Sequence, residues 1–168
     1  MEAMALPEEE SEAESLVIKS MNQWASDSRL NLTSLRPRWR EEKNDFKRGF
    51  AFDRAMLAGL KQLTVSARAV KWQAPIRFTG PLMSDVLALA KAQGRTITIH
   101  ALDGYKQEFT PKELADRPWV LAITADGKPL GIGGRGPAWL VHATLKGKPA
   151  TEDEEAKWVW SVFYMEAK

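Results

Sequence analysis

Turn signals recur at such short intervals along this chain that neither a long helix nor a long strand has room to form. The punctuation runs from Thr79-Gly80-Pro81 through Gly94, Asp103-Gly104, Thr110-Pro111 and Asp126-Gly127. It ends in the loop Gly131-Ile132-Gly133-Gly134-Arg135-Gly136-Pro137. Glycine tolerates positive φ, and proline fixes φ and lacks a donor, so each closes a regular element. Between these signals lie apolar, β-branched runs of strand length. Leu16-Val17-Ile18-Lys19-Ser20 reads as a strand, as do residues 63–72, 76–78, 119–124, 138–143 and 157–165. In the last of these, Trp158, Trp160 and Phe163 are too aromatic for an exposed helix. Thr96-Ile97-Thr98-Ile99-His100 alternates in strict period two, and Asp103-Gly104 predicts a hairpin returning through residues 105–109.

Helical spacing is rarer. Asp53 can cap a short helix through Leu60, with Met56, Leu57 and Leu60 inward. Residues 81–93 form the clearest candidate, with Pro81 in the first turn and Gly94 as the left-handed stop. Thr110-Pro111-Lys112-Glu113 is a capping box, and residues 151–156 read as one acidic turn. The sum is roughly seven or eight short strands and three or four short helices, an α+β chain that is mostly β.

The length of 168 residues fits one domain. An acidic leader over 1–14, read as poorly ordered, precedes a single domain over 15–168 that carries a polar excursion at 22–49. The chain has no cysteine, which excludes disulfides, thiolate zinc sites, iron–sulfur clusters and cysteine nucleophiles. The same absence leaves the redox compartment open. No apolar run approaches the ~18–20 residues of a transmembrane helix. No basic start followed by an apolar stretch marks an uncleaved signal peptide.

Charge is unevenly placed. Residues 1–15 hold six of the 22 acids and no base, leaving 16 acids against 24 Lys and Arg elsewhere. Arg36, Arg38, Arg40, Lys43, Lys47 and Arg48 surround Trp39 and Phe46 as a single-strand-binding stripe would. Glu41, Glu42 and Asp45 interleave, however, and Glu41 and Asp45 fall in phase with Arg40, Lys43 and Lys47 as near-neighbour pairs on a charged helix. Nucleic acid is therefore not the favoured partner.

The chemical motifs are sparse. His100 and His142 lie on expected strands without a partner at metal-ligand spacing, and no Walker loop or Gly-x-Ser-x-Gly elbow occurs. The glycine-rich loop allows close backbone approach, and its Arg135 offers planar donors to an anion or heterocycle. A strand rather than a helix follows it, so it is not a dinucleotide fingerprint, and a flexible crossover explains it equally well. Asp103-Gly104-Tyr105 is a turn first, and a carboxylate with an aromatic rim second. Seven tryptophans are many for this size; most belong in a core, and some can stack on a flat ligand.

The order of several motifs resembles the molybdopterin-binding domain of the sulfite-oxidase family over about residues 50–166. The likeness is carried by Phe52-Asp53, Leu63-Thr64-Val65, Lys71-Trp72, Phe78-Thr79-Gly80-Pro81-Leu82 and Asp85-Val86-Leu87. It continues through Ile97 to Tyr105, Trp119-Val120-Leu121-Ala122, Asp126-Gly127-Lys128-Pro129-Leu130, Arg135 to Val141, and Lys157-Trp158-Val159. The resemblance implies that family's α+β fold of short mixed sheets.

The family's enzymes bind molybdenum through a cysteine just before the Phe-x-Gly-x-Leu helix start. Here that stretch reads Thr64-Val65-Ser66-Ala67-Arg68-Ala69, and serine is a harder ligand that would have to ionise. The chain is similar to short stand-alone members, usually exported, among them periplasmic pterin-binding sensors for membrane cyclic-di-GMP enzymes.

The resemblance thus implies a non-catalytic, periplasmic pterin-binding module with no molybdenum. It carries over Asp103, Tyr105, Arg135, Trp139 and Lys157 as ligand-binding residues, with Trp72 as a stacking wall. Asp103 would suit the amino-imine edge of the ring and Arg135 a carbonyl or phosphate. The alternatives are a molybdenum-cofactor oxidoreductase without its thiolate, and an interaction domain with a vestigial pocket.

Overall fold

The computed structural model describes residues 15–18, 49–131 and 135–168. The acidic leader, the basic stretch 36–48 and nearly all of the polar excursion at 22–49 lie outside them. Within them the chain is α+β, with three sheets of short strands and four short helices.

The largest sheet has five strands in the order β2-β1-β11-β5-β6. These are β1 (Ser15–Ile18), β2 (Gly49–Phe52), β5 (Ile97–Ala101), β6 (Lys106–Phe109) and β11 (Val162–Ala167). β1 runs parallel to β2 and antiparallel to β11. β2 extends the sheet at a place where the sequence pattern carries no strand signal. Strand β5 lies inside the sheet between β11 and β6, and all five of its residues are buried. Its Thr/Ile alternation predicts one wet face, but Thr98 and His100 are enclosed as well, with His100 edge-on to Tyr164.

A second sheet has the order β3-β4-β8-β9, from β3 (Gln62–Ala67), β4 (Ile76–Pro81), β8 (Thr124–Ala125) and β9 (Lys128–Pro129). Asp126 and Gly127 both take positive φ in the β8–β9 turn, as a two-residue hairpin demands. The third sheet pairs β7 (Val120–Ala122) with β10 (Trp139–Val141).

Several boundaries differ from the sequence reading. The expected strand at 119–124 is two strands in different sheets, because the chain leaves β10 at Ala122 and joins β4 at Thr124. The strand at 63–72 stops at Ala67, where the backbone turns and Trp72 N donates to Ala69 O at 3.1 Å. That at 76–78 instead runs on to Pro81, whose Cα partner is Gln62. The helix expected over 81–93 is consequently α2 (Met83–Leu89), starting after Leu82 and ending before left-handed Lys91. The strand at 138–143 keeps only its centre.

The last strand begins at Val162 rather than Lys157. Ser161 takes a positive φ of 52°, which breaks the extended run, and Val159 bridges Leu140 instead.

The other helices match their local signals. In α1 (Arg54–Gly59) the Asp53 carboxylate accepts from Met56 N at 2.7 Å, and Leu57 is the buried anchor. Both α3 (Pro111–Asp116) and α4 (Glu152–Ala156) open on complete capping boxes, from Thr110 with Glu113 and from Thr151 with Glu154. Neither α3 nor α4 has a buried residue, so caps and side-chain contacts hold them in place rather than core packing.

Candidate functional site

The core ends in an aromatic wall. Phe78 and Trp139 meet edge-on at 4.8 Å, and Trp139 is 2% exposed. Trp72 packs edge-on against Trp139 at 5.6 Å, and Trp158 lies 6.3 Å from Trp72. Trp160 lies on the far side of Trp139 at 5.7 Å. Four of the chain's seven tryptophans thus converge on one surface.

Backbone pairing brings them together. Leu140 and Val159 exchange hydrogen bonds of 2.7 and 3.2 Å, which aligns the segment carrying Trp139 with that carrying Trp158 and Trp160. The Trp72 turn is held by Arg68, whose Nε donates to Trp72 O at 2.8 Å.

Above this wall opens a cleft of about 490 Å³. This volume lies in the usual range for small-molecule sites, and concavity with aromatic lining is their usual character. The four indoles form its floor and sides. The β5–β6 hairpin contributes Asp103 and Tyr105, the Trp72 turn Val70 and Lys71, and α4 Glu152, Glu155 and Ala156.

The hairpin is braced on both sides. Asp103 Oδ1 accepts from Tyr105 N at 2.9 Å, and Asp103 Oδ2 accepts from Trp160 Nε1 at 3.2 Å. The Tyr105 hydroxyl reaches across to donate to Ala156 O, tying the hairpin to α4. On the opposite side Glu155 Oε2 accepts from Val70 N at 2.9 Å. Tyr105 and Trp160 each remain 42% exposed, so ring faces are accessible at the mouth.

The six residues singled out from the sequence fall into three places. Trp72, Asp103, Tyr105 and Trp139 line the cleft. Arg135 stands against its wall, its guanidinium carbon 5.4, 5.0 and 5.4 Å from the ring centroids of Trp72, Trp139 and Trp160. Lys157 points elsewhere. Its Nζ is 2.9 Å from Glu113 Oε1 and 5.6 Å from the Phe109 ring centre, in a smaller pocket of about 190 Å³. Trp158, Trp160, Lys71, Glu152 and Glu155 were not singled out. Lys71 and Trp158 appear within motifs that carry the resemblance, and the sequence signal for Trp160, Glu152 and Glu155 is aromatic density directly after an acidic turn.

Helix α4 separates the two pockets. Glu152, Glu155 and Ala156, at i, i+3 and i+4, face the cleft, whereas Asp153, Glu154 and Lys157 face the smaller pocket. There Arg117 Nη1 lies 3.1 Å from His142 Nε2 and 3.3 Å from Glu154 Oε1. Since arginine only donates, Nε2 accepts, and Nδ1–H donates to Ala143 O at 2.9 Å. His142 is therefore neutral. Burial, the largest influence, holds its pKa below the usual 6.5, and the nearby Arg117 charge adds to this. Glu113 and Glu154 both lie below the ordinary carboxylate value, chiefly through the backbone N–H groups of Thr110 and Thr151.

The chain holds no thiolate, and no residue of the stretch 64–69 lines the cleft. Among the described residues no group of three or more His, Asp or Glu is arranged to hold a metal ion. The chain matches no family model and no curated protein.

Proposed function

We propose that this protein binds a flat, hydrogen-bonding heterocycle of the pterin type in the tryptophan-lined cleft, without catalysis. The observation that carries the reading is the cleft itself: four indoles and Tyr105 around about 490 Å³, with carboxylates at the rim. A planar ring gains stacking from such walls, and a pterin's amino-imine edge finds acceptors in carboxylates. The α+β arrangement of short mixed sheets is consistent with the sulfite-oxidase-like molybdopterin-binding fold that the sequence resembles. In this reading the pterin slot persists without the metal anchor, for which the chain has no thiolate.

The same proposal gives the protein a sensing role. Ligand occupancy passes to a membrane signalling partner such as a cyclic-di-GMP enzyme, on the periplasmic side. The support is the family resemblance together with the way α4 touches both pockets.

Titrating the protein with unsubstituted pterin by calorimetry tests the binding. One ring per chain is expected, with affinity lowered about tenfold in Trp160→Ala and in Trp72→Ala, the loss of one good aromatic contact. Absence of binding, or affinity unchanged in both variants, would refute the reading.

A further inference from the structure

The charge around the main cleft is one-sided. Asp103, Glu152 and Glu155 face it, against the single cation Lys71 among the described lining residues. The three carboxylates differ in how far they are already engaged. Both oxygens of Asp103 accept from the protein, and Glu155 Oε2 accepts from Val70 N. Glu152 is exposed on the first turn of α4, and no hydrogen bond or ion pair links it to another described residue. Arg135 offsets this charge only in part, from behind the indole wall, and leaves three carboxylates against two cations. Its guanidinium rests against Trp72, Trp139 and Trp160 and is not among the lining groups.

We infer that the cleft takes an unphosphorylated ligand, a neutral or cationic ring with an N–H-rich edge, and that Glu152 is the residue that sets this preference. The inference rests on the ring-binding reading above and narrows it. A phosphate at the rim would meet three carboxylates and one ammonium, with the Arg135 guanidinium held back against the indoles. Each like-charge pair is weak in a solvent-filled mouth, but the effects add and all act against the same ligand class. Ring N–H and amino groups meet the opposite situation. Glu152 is an uncommitted acceptor for them, charge-assisted bonds are the stronger kind, and indole faces attract cationic rings. Glu152 is thereby a specificity residue that acts by exclusion as much as by attraction.

Neopterin and neopterin monophosphate differ only in the phosphate, so their dissociation constants isolate the effect. At low ionic strength the wild-type protein is expected to bind neopterin at least about tenfold more tightly, with the gap shrinking as salt screens the rim. Glu152→Gln should narrow the gap, and Glu152→Lys should reverse it, with a cooperative thermal melt retained in both because the side chain is exposed and unpaired. Equal affinity for the two compounds, tighter binding of the monophosphate, or a gap that neither substitution alters would overturn the inference and leave ring binding intact. If neither compound binds, the ring-binding reading falls, and this inference falls with it.

Discussion

Asp103 shows how much of the cleft depends on single side chains. Its two oxygens hold the hairpin turn through Tyr105 N and the mouth through Trp160 Nε1. The sequence assigns Asp103 to a turn or to a pocket rim, and in the folded chain it serves as both. The turn was legible because Asp-Gly carries its own backbone logic. The bond to Trp160, 57 residues away, was not, since only tertiary pairing creates it. Asp103→Ala should lower stability by roughly 1 kcal/mol, the worth of an exposed hydrogen-bond pair, and should loosen Trp160. Chemical denaturation reads the first effect, and a red-shifted tryptophan emission the second. Lys157 teaches the reverse. The resemblance carries it over as a ligand-binding residue on the last strand, but it lies at the end of a turn of helix and pairs with Glu113.

Among the elements, α4 and the β4–β7 contact govern the site. The capping box of α4 was legible because it needs only Thr151 and Glu154 at fixed spacing. The role of the helix as a partition between two pockets was not, since it depends on Tyr105, Val70 and Arg117 reaching it from three other segments. Thr151→Ala removes the cap and should cost about 1 kcal/mol in a melt. It should also weaken ligand binding, because the helix no longer holds Glu152 and Glu155 at the cleft. At β4, a Cβ on Gly80 would collide with the Leu121 carbonyl oxygen and the Ala122 backbone. Gly80→Ala should therefore destabilise by ~1–3 kcal/mol or more, measured by denaturant midpoint. The Thr79-Gly80 signal announced a turn. Its actual use is close approach between strands of two sheets, which no local pattern specifies.

Over the whole molecule the α+β class was readable from punctuation and periodicity, whereas the division into three sheets was not. Strands of two or three residues carry too little pattern to say which sheet they join, as the split between Ala122 and Thr124 shows. The global electrostatic consequence is an acid-sensitive fold. His142 is held neutral below its ordinary value by burial, so the unfolded chain takes up the proton first. Its contribution is complete above pH ~6.5 and is lost as pH falls from there through the lower folded-state value. Glu113 and Glu154, depressed below the ordinary 4.5, add a second loss that begins near that pH and grows with further acidification. Denaturant unfolding at a series of pH values should show stability declining below about 6.5 and more steeply below about 4.5. His142→Gln should flatten the first part only.

The central claim is that a planar ring sits among the converging tryptophans. Its most direct test is a crystal structure of the protein grown with unsubstituted pterin. The account predicts density for a bicyclic ring in the cleft, in contact with Trp72 and Trp160 and with its amino edge toward the α4 carboxylates. A cleft filled by the protein's own side chains, or a ring bound only in the pocket beside His142, would contradict it.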